Sequence, residues 1–177
     1  MCYNVQQKAI VKELTEAFQA QFKNPTLYQS KETINGFDFP FLPVLKSDQP
    51  TSFQFLQWGL IPAWAKDESI QKSTLNAKME TIHDKPSFKM VTENRCVLPV
   101  TGFFEWKWLD SKGKRKEKYF IQVQEESLFG LAGLHTNWQN PNSGESKETF
   151  TLLTTKVNPV MAEIHNIKKR MPLIMDV

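Results

Sequence analysis

Residues 95–108 read Arg95-Cys96-Val97-Leu98-Pro99-Val100-Thr101-Gly102-Phe103-Phe104-Glu105-Trp106-Lys107-Trp108. Arg95 to Val100 is a dense apolar run of strand length, and Leu128 to Leu134 is a second. Phe53 to Gln57, Lys118 to Val123 and Thr149 to Leu153 instead alternate apolar with polar residues, the pattern of half-buried strands. Many short strands with few helical patterns predict an α+β fold: one domain over residues 1–177, mostly antiparallel β-sheet, with a barrel-like core and a few peripheral helices.

Outward from the strands, Ile10, Leu14, Phe18 and Phe22 recur every fourth residue and predict an amphipathic helix between Lys8 and Phe22. Asp84 before Pro86 predicts an N-cap and a short helix to Met90, and Asn158 before Pro159 predicts another over Pro159 to Ile164, ending at His165. Phe37 to Pro43 carries two prolines and reads as an aromatic loop or edge segment. The runs Lys112 to Lys118 and Asn140 to Glu148 read as solvated connections.

The 177 residues are 40% hydrophobic and 12% aromatic, enough for a sizeable core and against disorder. Lys+Arg 22 against Asp+Glu 19 leaves +3, which permits a polyanionic partner without requiring one. Two cysteines, Cys2 and Cys96, suggest neither a disulfide framework nor a zinc site. No apolar run reaches the roughly 20 residues a membrane helix needs, and no signal peptide opens the chain. The expectation is a cytoplasmic monomer without metal or cofactor.

Cys2 carries the sharpest chemistry. Initiator Met is usually removed before a small side chain, which would leave a cysteine with a free α-amine, a 1,2-aminothiol. In model peptides the amine titrates near 7.7–8.0 and the thiol near 8.5, so a usable fraction of each nucleophile is expected near neutrality. An aldehyde would condense with the amine as an imine, and the sulfur would close a thiazolidine on the same carbon. By position alone, a second-residue cysteine is more often incidental. Glu105, set among Phe103, Phe104, Trp106 and Trp108, is a candidate acid or base raised by desolvation, or else a surface residue of an alternating strand. His165 is a second acid/base candidate, or a helix C-terminal residue.

Met1-Cys2, Trp58-Gly59-Leu60-Ile61-Pro62-Ala63-Trp64, Asn76-Ala77-Lys78-Met79-Glu80-Thr81 and Lys85-Pro86-Ser87-Phe88 follow one another along the chain. After them come Arg95-Cys96 through Gly102-Phe103-Phe104-Glu105-Trp106, Leu131-Ala132-Gly133-Leu134, Thr154-Thr155 with Asn158, and Ile164-His165 before Arg170-Met171-Pro172. In order and rough spacing these motifs resemble the SRAP family, the SOS-response-associated peptidases. The resemblance implies a protein of the DNA damage response that binds single-stranded DNA and joins Cys2 covalently to the aldehyde of an abasic site. It implies autopeptidase removal of Met1, and lyase or reversal activity by the same imine chemistry.

Carried over residue by residue, Cys2 is the nucleophile and Asn76 positions the terminal amine or the sugar. Glu105 is the acid/base near that amine, and His165 assists ring opening and proton transfer. Trp58, Trp64, Lys78, Lys85, Arg170, Phe39, Pro40 and Thr155 are the candidate DNA contacts, by stacking or by phosphate neutralisation. Lys89 remains the candidate for plain solvated charge, and Trp106 for core. The chain departs from the family at Tyr3-Asn4, where Gly and Arg are common, and at Lys78, where Arg is common. Asn166 to Lys169 put four residues where the family usually has one between His165 and Arg170, and the chain stops at Val177, shortly after Met171-Pro172. Two alternatives use the same residues differently. One is an N-terminal-nucleophile or cysteine-type peptidase or amidohydrolase, built on Cys2, His165 and Glu105. The other is a basic binding module in which Cys2 and Glu105 are incidental.

Overall fold

The computed structural model describes residues 2–175; Met1, whose removal is expected, and the carboxyl end at Val177 lie outside the described residues. In chain order the elements are β1 (Asn4–Gln7), α1 (Val11–Phe18), β2 (Gln21–Phe22), β3 (Lys31–Asn35), β4 (Phe41–Lys46), β5 (Gln49–Trp58) and β6 (Asn76–Lys78). They continue with β7 (Arg95–Val100), β8 (Gly102–Trp108), β9 (Lys116–Ile121), β10 (Phe129–Gln139), β11 (Ser146–Lys156), α2 (Pro159–Ile164), β12 (Arg170–Pro172) and β13 (Ile174–Met175). The expected α+β class, rich in strands, is what forms.

The strands β11, β10, β7, β4 and β5 are hydrogen-bonded in that order, and parallel pairing of Thr149 with Gln57 and Phe150 with Trp58 joins the last to the first. The sheet therefore closes into a five-stranded barrel, and closure removes the free edges of those strands. The interior holds Val44, Leu56, Trp58, Leu98, Leu131, Phe150 and Leu152, all 2% exposed or less. A second sheet, in the order β3-β1-β8-β9, lies beside the barrel and shares its core through Val5, Ile34 and Phe103.

Two expected helices change. Helix α1 is shorter than the Lys8–Phe22 pattern because the Glu13 carboxylate accepts from the Ile10 N–H at 2.8 Å at its start, and Gln19 turns left-handed at φ 49° at its end. Phe22 instead enters β2 and stacks on Phe53 at 4.4 Å. The expected Pro86–Met90 helix is a run of turns, in which Lys85 O accepts from both Phe88 N and Lys89 N. Phe88 is the one residue of that segment in the core, and one apolar anchor does not repay helix nucleation.

The Phe37–Pro43 segment is only partly the loop or edge expected. Gly36–Asp38 form one 3₁₀ turn capped by Asn35 Oδ1 on Phe37 N at 3.1 Å, but β4 then runs between β5 and β7. Pro43 is tolerated there because pairing with β7 begins only at Leu45, so the missing N–H costs no β7 bond. Among the described residues no helix is long and apolar enough to cross a membrane.

Candidate active site

Three elements carry the site. β1 lies between β3 and β8, with Asn4 opposite Phe104 and Val5 opposite Phe103. Continuing that antiparallel register sets Glu105 level with Tyr3, next to Cys2. β6 is held on β11 with Asn76 opposite Leu152, and from there Asn76 Nδ2 donates to the Cys2 carbonyl oxygen at 2.9 Å. Helix α2 starts with Asn158 Oδ1 accepting from Met161 N at 2.8 Å and ends at His165, whose Nε2 lies 3.9 Å from Glu105 Oε2. The four residues assigned catalytic roles, from positions 2, 76, 105 and 165, thus lie together.

Their environment is dry. Cys2 is fully buried in the main core cluster, Glu105 is 3% exposed and His165 9%. Burial, with the Glu105 charge adding to it, pushes the Cys2 thiol far above its ordinary range. The thiolate expected in usable amount near neutral pH is therefore not the form this site favours, and the sulfur's contact is the Asn4 carbonyl oxygen at 3.9 Å. Burial pushes the Glu105 carboxyl up to about 7, so it can both take and return a proton at neutral pH. Burial also pulls His165 below its usual value, which favours neutral imidazole.

His165 Nδ1 lies 2.5 Å from the Arg170 carbonyl oxygen, which can only accept, and at a longer 3.2 Å from the Arg170 N–H. The shorter contact assigns the proton to Nδ1 and leaves Nε2 as the basic nitrogen facing Glu105. The four-residue connection before Arg170 is tied to its surroundings. Lys169, at φ 47°, folds the chain back so that its N–H meets His165 O at 3.1 Å. Asn166 pins the segment to β8: its Nδ2 donates to Trp108 O at 2.9 Å and its Oδ1 accepts from Trp108 N at 3.1 Å. A cleft of about 220 Å³ opens onto this group, lined by Tyr3, Glu105, Trp106, Trp108, His165 and the residues around Lys168.

The expected DNA contacts fare unevenly. Trp64 is 57% exposed, with its Nε1 donating to Pro86 O at 3.1 Å, so the ring stands free beside Lys85. Lys78 and Lys85 are exposed, as is Lys89, while Phe39, Pro40 and Thr155 are half-buried. Trp58 is a correction. It is fully buried, Nε1 donates to Leu75 O at 2.9 Å and its ring stacks with Phe150 at 6.1 Å, so it supports the barrel and has no free face for a base. Arg170 is engaged within the protein: its guanidinium makes a bidentate pair with Glu80, Nη1 to Oε1 at 2.9 Å and Nη2 to Oε2 at 2.8 Å, and also donates to Thr154 O. Asn166 and the cleft wall were not read from the sequence. The signal available was the extra length between His165 and Arg170, which opens with a side chain able to imitate a peptide group.

The model of the family described as SOS response associated peptidase (SRAP) matches residues 1–177. The chain belongs to the SRAP family. This SRAP chain is 45% identical over 121 residues to the abasic site processing protein YoqW of Bacillus subtilis strain 168, covering 68% of this chain and 51% of that protein. It is 31% identical over 144 residues to the abasic site processing protein HMCES of Gallus gallus, covering 68% and 41%. The chain thus spans about half the length of the curated relatives it matches. A crystal structure of a Bacteroides thetaiotaomicron protein superposes with a TM-score of 0.89 at 36% identity, over 98% of this SRAP chain and 77% of that one. A Bordetella bronchiseptica protein, at 19% identity and a TM-score of 0.78 over 98% and 83%, shares the fold.

Proposed function

We propose that this chain acts in the DNA damage response by binding single-stranded DNA at abasic sites and forming a covalent thiazolidine crosslink through Cys2 once Met1 has been removed. The observation that carries the reading is the Asn76 Nδ2 hydrogen bond to the Cys2 carbonyl oxygen at 2.9 Å, which fixes residue 2 beside the Glu105–His165 pair, 3.9 Å apart. Holding the residue that carries the nucleophiles against an acid/base pair is the kind of positioning that imine formation needs.

The steps balance without a cofactor. The Cys2 amine adds to the C1′ aldehyde of the open sugar, and loss of water gives an imine. The sulfur adds to the imine carbon while its proton moves to nitrogen, closing the ring, so the net reaction releases one water. Glu105, poised near 7, takes the ammonium proton before addition and returns one for the departing hydroxyl. His165, with Nε2 basic, assists opening of the sugar hemiacetal. Removal of Met1 by the chain itself, strand cleavage by a lyase step and reversal of the crosslink are proposed to draw on the same groups. The names of YoqW and HMCES as abasic site processing proteins support the substrate class. Against a cysteine-peptidase reading stands the buried thiol, whose contact is the Asn4 carbonyl oxygen rather than an imidazole.

The test is to mix protein confirmed to begin at Cys2 with single-stranded DNA carrying one abasic site, beside intact DNA and a Cys2→Ala variant. A band that survives denaturation and needs both the lesion and Cys2 is expected. No adduct from correctly processed protein overturns the proposal and turns attention to peptide and amide substrates.

A further inference from the structure

The cleft beside Glu105 and His165 has a wall that the reaction above leaves unused. Lys116, on β9, reaches across to place its Nζ 4.9 Å over the ring of Trp108, opposite it in the β8–β9 register. Lys168, from the segment after α2, lines the same cleft. Neither lysine has an ion-pair partner among the described residues, so two like charges share one opening, with Glu105 at its inner wall. Two positions along β9, Lys118 Nζ lies 4.0 Å over the Phe104 ring and extends the same basic, aromatic-backed face.

The lysines are not on a loose loop. Asn166 is tied twice to the Trp108 backbone, Lys169 N–H bonds His165 O at 3.1 Å, and Val157 N–H bonds Lys169 O at 3.3 Å. Lys168 is carried between those anchors and is close enough to His165 for its charge to be felt there. Cations that line one cleft without an ion-pair partner of their own, backed by an aromatic face, are suited to a phosphodiester and the base attached to it.

We infer that Lys116 and Lys168, with Trp108 between β9 and the 166–169 segment, form a subsite that holds a phosphate of single-stranded DNA flanking the reacting sugar. The inference rests on the proposed DNA substrate but not on the crosslinking step. It also gives the longer His165–Arg170 connection a use, since that segment supplies one of the two cations.

The test is a titration of a fluorescent, undamaged single-stranded oligonucleotide by the wild-type chain and by a Lys116→Gln/Lys168→Gln double variant, from low to moderate salt. A Lys12→Gln/Lys23→Gln variant removes the same charge elsewhere, and thermal unfolding checks that all three fold. Loss of one to two phosphate contacts should weaken binding several-fold at low salt and make the salt slope shallower by about 0.7 per contact. The control should move neither by a comparable amount. An unchanged slope, or one matched by the control, overturns the subsite. Crosslinking to abasic DNA, read in parallel, separates the two proposals: a shallower slope with no crosslink in any variant sinks the Cys2 chemistry and leaves the subsite standing. A normal crosslink with an unchanged slope does the reverse.

Discussion

Asn166 and Trp108 are joined by two hydrogen bonds, 2.9 and 3.1 Å long, in which a side-chain amide takes the place of a strand neighbour at the end of β8. Because His165 precedes Asn166, this tie sets where the imidazole lies relative to Glu105. Asn166→Ala removes both bonds and leaves a part-buried Trp108 backbone to water, a loss of about 1–3 kcal/mol in urea unfolding. The crosslinking rate should fall more than that stability loss explains, and the acidic limb of its pH profile should move as the His165–Glu105 spacing relaxes. A stable Asn166→Ala variant with an unaltered pH profile would show that the tie only closes the chain.

Glu105 gives the fold a pH dependence whose sign can be worked out. Its carboxyl sits at about 7 in the folded chain against an ordinary 4.5, so the folded state holds a proton that the unfolded state has released across that interval. Stability is then undiminished below about pH 4.5, falls as pH rises toward 7, and levels off above it. The difference is on the order of 3 kcal/mol for a group this buried. Glu105→Gln, which cannot ionise, should flatten the curve, so that denaturant midpoints at pH 5 and pH 8 converge relative to wild type. Equal wild-type midpoints at the two pH values, unchanged by the substitution, would contradict the burial of an ionisable carboxyl there.

Arg170 was expected to bind phosphate, yet its guanidinium is taken up by Glu80 and Thr154. The arginine is 11% exposed and the glutamate 38%, so the pair is worth a modest about 1–2 kcal/mol, above an exposed bridge and below a buried one. Arg170→Gln and Glu80→Gln should each lower stability, with the double variant losing less than the sum of the two. DNA affinity should change little with either. If Arg170→Gln instead weakens DNA binding while Glu80→Gln strengthens it, the guanidinium leaves Glu80 for a phosphate on binding.

What could be read in advance followed from how local each signal was. Arg95–Val100 and Pro159–Ile164 appear with the bounds expected, because a dense apolar run and an Asn-Pro cap are settled by neighbouring residues. The short strands β1 and β6 (NVQQ and NAK) have no such pattern, and their extended state comes from partners far along the chain. That Cys2, Asn76, Glu105 and His165 come together was legible because they sit in ordered motifs. The Arg170–Glu80 pair spans 90 positions, and nothing in either neighbourhood announces the other. Asn166 was hidden for a related reason: its role depends on where Trp108 ends β8.

Trp58 and Trp64 open and close one seven-residue motif and have opposite surroundings. Trp58 is fully buried against Phe150, and its ring lies 3.2 Å from where a Cβ on Gly36 would stand, so the neighbouring turn is closed over it. Trp58→Ala should therefore open a cavity in the barrel and cost about 3–5 kcal/mol, with much of the chain lost to aggregation on expression. Trp64 is 57% exposed and held by a single bond to Pro86 O. Trp64→Ala should cost no more than about 1 kcal/mol in stability while weakening single-stranded DNA binding by about 1–3 kcal/mol, the worth of one stacked base. Trp64→Phe keeps a ring without the indole N–H and should recover most of that affinity. Thermal unfolding and anisotropy titration on the three variants decide the matter: full affinity in Trp64→Ala would remove that ring from the DNA path and leave Phe39 and Pro40 as the remaining candidates for contact with the bases.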